Sequence, residues 1–341
     1  MATAELARVR KSQVEFKSKG VTCRGDLWLP ERGAPPYPVV VMAGGWCYVK
    51  EIVMPHYAQF FCGEGLAVLM FDYRNLGASD GEPRQHLDPW AQIEDYRNAI
   101  SFVETVPELD PARIVVWGIS YSGGHALIVG AIDRRVRCIV SNIPVVDGYE
   151  TQRRVHGERR FAQLLQVIAE DRARRYRGEP SGRLPMSAPD PDQVLCTWPF
   201  PEVYSAFDAI KRAEAPRHEH WSTIESTELL LTYTVFPYVT RILDTPTLML
   251  VAEGDNITSW DLEIAAFNLI PSPHKELFII PRTSHMSLYT ERQRLEIAAT
   301  YTARWLREQV LQPTEAAVGR SDGRRGAARQ RGAEAGRRSR G

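Results

Sequence analysis

"RIVVWGISYSGG" (residues 113–124) decides how this chain is read. Its first half is a short β-branched run of the kind a buried strand uses. The second half sets Ser120 and Ser122 among Gly118, Gly123 and Gly124. Small residues between a strand and a helix allow a sharp turn, and a sharp turn can hold one side chain clear of both elements. Two registers are open. With Ser120 at the apex, Gly118 stands two residues before it and Ser122 two after, and the paired glycines open the helix. With Ser122 at the apex, the turn after "VVW" lengthens. The first register begins the turn at the strand end, so Ser120 is read as the presented serine.

Similar apolar runs recur on both sides. "VEFKS" and "VTCRGDLWL" flank Lys19-Gly20 as an antiparallel hairpin. "PVVVM" (38–42), "AVLMFD" (67–72), "RIVVWG" (113–118), "RCIVSN" (137–142), "TLMLVA" (247–252) and "KELFII" (275–280) lack strict alternation, as strands covered on both faces do. Between them, Trp90, Ile93, Tyr96 and Ile100 fall at helical spacing, as do Leu262, Ala265, Ala266 and Leu269. The pattern predicts an α/β fold with three layers, its eight-stranded sheet mostly parallel and joined by crossover helices.

The alternation breaks over 147–240, where 94 residues stand between two strands. Phe161, Leu164, Leu165 and Ile168 predict a helix there, and "STIE" (222–225) reads as a capping box ahead of another. With Trp198, Phe200, Tyr204, Trp221, Tyr233, Phe236 and Tyr238, this segment reads as a helical lid inserted into a core of residues 1–146 and 241–312. Residues 313–341 are rich in Gly, Ala and Arg without large apolar side chains, and read as a disordered tail.

Formal net charge is zero, but from Glu315 onward eight arginines face three acids, leaving 34 basic against 39 acidic residues in the body. A mildly acidic body argues against nucleic acid as a partner. The charged N-terminus lacks the apolar centre of a secretory signal, and no apolar run approaches the roughly 18–20 residues of a membrane span. Five scattered cysteines without a CxxC pair suit reduced thiols in a cytoplasmic protein better than a disulfide frame or zinc site. No spacing suggests a metal, and no loop a phosphate-binding cofactor.

Gly118-Ile119-Ser120-Tyr121-Ser122 resembles the G-x-S-x-G elbow of the α/β-hydrolase superfamily, with serine replacing the last glycine. The resemblance extends over roughly 35–310 and includes "FDYRNLGASDG" (71–81), where Asp72 and Arg74 read as structural turn residues. It implies a nucleophile at Ser120, an acid at Asp255 just past "TLMLVA" and a base at His285 just past "KELFII". Strand C-terminal ends share one edge of a parallel sheet, so the three would converge. Asp147, after "RCIVSN", is the alternative acid. His125, on the elbow helix, reads as a packed residue. The resemblance also implies an oxyanion hole from the backbone N–H groups of Tyr121 and of Trp46, in "MAGGWCYVKE", where Gly44 replaces the family's histidine. Tyr48 is a substrate-binding candidate, lining the pocket or adding a phenol donor.

The implied activity is that of a cofactor-free serine hydrolase. It would cleave a small-molecule ester, thioester or lactone through an acyl-serine, as in the dienelactone-hydrolase, X-prolyl-peptidase and polyketide-transferase branch. The alternatives are an acyltransferase passing a polyketide-like acyl group to an alcohol, and a non-catalytic binding protein of the same fold.

Overall fold

A computed structural model describes residues 7–311, so the expectation for 313–341 lies outside the described residues. Val9–Ser18 (β1) and Val21–Pro30 (β2) pair antiparallel about Lys19 and Gly20, both at positive φ. Two such residues give a turn whose twist matches that of the flanking strands. Then follow Tyr37–Ala43 (β3), Met54–Gly63 (α1), Ala67–Phe71 (β4), Pro89–Val103 (α2), Leu109–Ile119 (β5), Tyr121–Ile132 (α3) and Val136–Asn142 (β6). After the inserted segment come Thr247–Ala252, Trp260–Leu269, Lys275–Ile280, Ser287–Thr290 and Arg292–Leu306.

The insert supplies Gly148–Tyr176 (α4), Arg183–Pro185 (β7), Pro201–Ala213 (α5), Trp221–Thr223 (β8), Ile224–Leu231 (α6) and Phe236–Val239 (α7). The later elements are therefore β9 (247–252), α8 (260–269), β10 (275–280), α9 (287–290) and α10 (292–306). One sheet of eight strands runs β1-β2-β4-β3-β5-β6-β9-β10. Pairings are parallel from β4 to β10, and β2 joins β4 antiparallel. All eight strands expected from the sequence are in it. Every residue of β3, β4 and β9 is buried, which explains why these runs lack alternation.

In α4, two helical stretches meet at Gly157, whose φ of 64° and ψ of 166° fall in a region that only glycine adopts readily. Phe161, Leu164 and Ile168 pack with Leu184 and Ile224 as a small core of the insert. Met186, Trp198, Val203 and Phe207 instead join the main core. Helix α6 is capped by Thr223, whose hydroxyl accepts from the Ser226 amide, one residue later than the expected box. Ser222 and Thr223 are both paired in the β7–β8 ribbon, and the helix starts directly after its last residue.

Candidate active site

Ser120 lies between β5 and α3 with φ 58° and ψ −120°, a strained conformation for a residue bearing a side chain. The turn is tight enough that a Cβ on Gly118 would come 2.0 Å from the Ser122 carbonyl oxygen. Ser122 is wholly buried; its Oγ accepts from the Ile119 amide at 2.9 Å and lies 2.7 Å from the Ala43 carbonyl oxygen and 3.0 Å from that of Ile119. Its hydroxyl is thus occupied in holding the turn. Ser120 instead lines a cavity together with His285.

His285 follows β10, and its Nδ1 stands 2.7 Å from Asp255 Oδ2, beyond β9. Both residues are nearly excluded from solvent. Asp255 Oδ1 accepts from the amides of Ile257 and Thr258, each at 2.9 Å. Burial alone would raise the Asp255 pKa, but the facing imidazole charge and these hydrogen bonds hold it below the ordinary carboxylate range. A carboxylate at that position fixes the proton on Nδ1 and leaves the Nε2 lone pair available. Asp147 is employed elsewhere: it caps α4, accepting from the Glu150 amide at 2.9 Å.

The loop after β3 lies against the elbow. The rings of Trp46 and Tyr121 meet edge to face at 5.1 Å, and a Cβ on Gly45 would sit 3.2 Å from the Ser120 Cβ. A Cβ on Gly44 would come 2.4 Å from the Tyr48 Cβ, so a histidine here would collide with Tyr48. Asp72 fixes the same loop by accepting from the Lys50 amide at 2.6 Å and the Ala78 amide at 2.8 Å; Arg74 pairs with buried Asp95. Both are structural, as read. His125 is packed as expected, bonded to the Tyr233 hydroxyl and Gln92, and burial pushes its pKa down to about 3.

The cavity is about 20 Å³, bounded by Trp46, Tyr48, Trp198, Phe207, Ser120 and His285. Space of that size holds about one water. Three contributors escaped the sequence reading. Tyr289, one helical turn past His285, stacks on the imidazole at 5.7 Å and meets Tyr48 at 5.6 Å. Its buried hydroxyl faces those of Tyr48 and Ser120. The i, i+4 spacing in "HMSLY" was the available signal. From the insert, His218 Nδ1 lies 3.0 Å from the Cys47 carbonyl oxygen, His218 Nε2 3.3 Å from His220 Nδ1, and His220 Nε2 2.6 Å from Ser187 Oγ. A carbonyl only accepts, so the chain is satisfied when His220 donates to His218, His218 to Cys47 and Ser187 to His220. Third, the Thr258 hydroxyl lies 3.3 Å from His285 Nδ1.

Among the described residues, no group of three or more His, Cys, Asp or Glu is placed to hold a metal, and no helix is long and apolar enough to cross a membrane. The chain is 32% identical over 281 residues to the thiohydrolase aneE of Aspergillus aculeatus, spanning 80% of this chain and 86% of that one. It is 28% identical to the polyketide transferase af380 of Aspergillus fumigatus, over 82% and 92% of the two chains. The solved complex of DcsB with its substrate analogue superposes with a TM-score of 0.77 at 24% identity, covering 89% of this chain and all of that one. Residues 39–300 match the model of the alpha/beta hydrolase family, and to that family this protein belongs.

Proposed function

We propose that this protein is a serine hydrolase that forms an acyl-enzyme on Ser120, with His285 as general base and Asp255 orienting it. The observation that carries this reading is the 2.7 Å His285–Asp255 contact beside the cavity onto which the strained Ser120 opens. Neutral His285 takes the Ser120 proton at Nε2 as Oγ attacks the substrate carbonyl carbon. The oxyanion forms against the backbone N–H groups of Tyr121 and Trp46. Collapse expels a thiolate or alkoxide, which takes the proton from His285. Water then attacks the acyl-serine with His285 again as base, releasing the acid and restoring Ser120.

The substrate is a small acyl thioester, ester or lactone. The thiohydrolase and polyketide-transferase names of the relatives support an acyl donor, and the aromatic, methionine-bearing cavity wall supports an apolar acyl group. Residues 147–240 act as a lid, since Met186, Trp198, Val203 and Phe207 form much of that wall. Tyr48 contacts the acyl carbonyl or its first carbons. Burial raises its phenol pKa well above the ordinary value, so it presents a neutral hydroxyl. The five free, buried cysteines support a reducing, cytoplasmic setting.

The test is labelling with a fluorophosphonate, followed by a panel of acyl thioesters and nitrophenyl esters of graded length. One covalent adduct on Ser120 and release of free acid are expected. A protein that neither labels nor turns over any acyl compound would instead be a binding protein of this fold.

A further inference from the structure

Helix α8 turns a charged residue inward. The apolar positions Leu262, Ala265, Ala266 and Leu269 predicted its buried face; Ala266 is buried as expected, but its buried companions are Glu263 and Phe267. Glu263 is fully buried. Its Oε1 lies 2.6 Å from Thr258 Oγ1, and its Oε2 has no partner among the described residues. The same threonine donates its amide to Asp255 at 2.9 Å and sets its Oγ1 3.3 Å from His285 Nδ1. One hydroxyl therefore touches a buried carboxyl on one side and the Asp255–His285 pair on the other.

We propose that Glu263 is a positioning residue for the Asp255–His285 pair, acting through the Thr258 hydroxyl; the inference rests on the catalytic reading above. The charged groups facing Glu263 are Asp255, Asp261 and His285, and Asp261 is already paired with Arg154 from α4. No ion pair among the described residues reaches Glu263 itself. A buried carboxyl without a cation, beside a second carboxylate, is far cheaper to keep protonated than ionised. Burial first, then the Asp255 charge, pushes its pKa well above the ordinary range.

A neutral Glu263 donates its O–H to Thr258 Oγ1. The threonine hydrogen is then free to point at the Asp255 carboxylate, while its remaining lone pair faces His285 Nδ1–H. An ionised Glu263 would take that hydrogen for itself and place a second anion beside the imidazole. Kept neutral, Glu263 holds the threonine rotamer and leaves Asp255 as the one anion that sets the basicity of His285.

The test is a double-mutant cycle of Glu263→Met and Thr258→Val, read as kcat, KM and the acid limb of the kcat/KM–pH profile. Each single change is expected to lower kcat about tenfold with KM little changed, as for loss of one buried hydrogen bond. The double variant should be no worse than either, because both remove the same linkage. Glu263→Gln, an uncharged hydrogen-bonding replacement, should recover most of the lost kcat and leave the acid limb in place.

Multiplying losses would show that Glu263 does not act through Thr258, and a Glu263→Met variant with unaltered kcat that it only fills space; either result overturns the proposal. An acid limb moved down by a unit or more in Glu263→Gln would show that the native residue is ionised. Melting curves identify a misfolded variant, and Glu263→Gln then carries the test. Fluorophosphonate labelling of the unmodified protein separates the two levels of inference. No label overturns the catalytic reading; labelling with an additive cycle overturns only the role of Glu263.

Discussion

The Ser122 hydroxyl lies 2.7 Å from the carbonyl of Ala43, tying the end of β3 to the elbow that follows β5. Ala43 and Gly118 are already register partners in the sheet. The side-chain bond therefore extends that pairing beyond the last strand residue, into the turn that carries Ser120. A glycine at position 122 would allow the same backbone approach without this bond.

The two serines should separate cleanly on mutation. Ser120→Ala is expected to abolish fluorophosphonate labelling with the melting temperature nearly unchanged. Ser122→Ala leaves the buried Ile119 amide without its acceptor, a loss of about 1–3 kcal/mol. It should melt several degrees lower yet still label at Ser120. Mass spectrometry of the labelled peptide decides it: loss of label in Ser122→Ala alone, with the fold retained, would move the nucleophile.

Asp255→Asn should be far more damaging than Asp147→Asn. An asparagine at 255 no longer fixes the His285 tautomer, and comparable changes in a serine-protease triad cost about 10⁴ in kcat. At 147, asparagine still accepts from the Glu150 amide and keeps the α4 cap. Steady-state rates on one good ester, with both variants checked for folding, read the difference. A severe loss at 147 and a mild one at 255 would place the acid after β6.

Acid should loosen the contact between the insert and the loop after β3. Burial lowers the pKa values of His218 and His220 from 6.5 to about 4. Above pH 6.5 both are neutral whether folded or unfolded. Between 6.5 and about 4 the unfolded chain binds protons that the native state refuses, so stability falls as pH falls, and the loss levels off below about 4. The melting temperature should decline across that window, with amide exchange rising early in 183–223. Replacing both histidines by asparagine should flatten the decline; an unaltered slope would assign it to other groups.

What was legible in the sequence follows from where the physics is local. Runs such as "PVVVM" and "TLMLVA" announce strands because a strand covered on both faces has no polar side to show. Asp255 and His285 were named through the family resemblance, and their meeting was legible because parallel strands deliver their C-terminal ends to one edge. The Glu263 face of α8 was not. Of its four apolar positions Ala266 is buried, while Glu263, which a polarity pattern places in solvent, lies inward and bonds Thr258 from the preceding loop. His218 sits in "RHEH", which resembles a solvated turn until the Cys47 carbonyl, 171 residues away, arrives to accept from it. Trp90 fits the helical period of α2 yet stands 42% exposed in its first turn, where its ring meets Tyr233 and Tyr238 of the insert and no strand covers it.

The partition between hydrolysis and acyl transfer should follow the space beside His285. In this structure that space is about 20 Å³, enough for one water and too small for an alcohol. An acyl group on Ser120 and an incoming alcohol would both need room that Trp198 and Phe207 now occupy, whereas a water needs little beyond what the acyl group itself opens. Free acid should therefore be the main product when the best ester is run with alcohols of increasing size. Trp198→Leu widens the cavity where the insert meets Trp46, so it should raise the ratio of new ester to acid. Both products are followed by chromatography over a range of alcohol concentrations. Efficient capture by one bulky alcohol in the unmodified protein, at micromolar to low millimolar levels and with little acid formed, would identify a transferase whose acceptor itself holds the insert open.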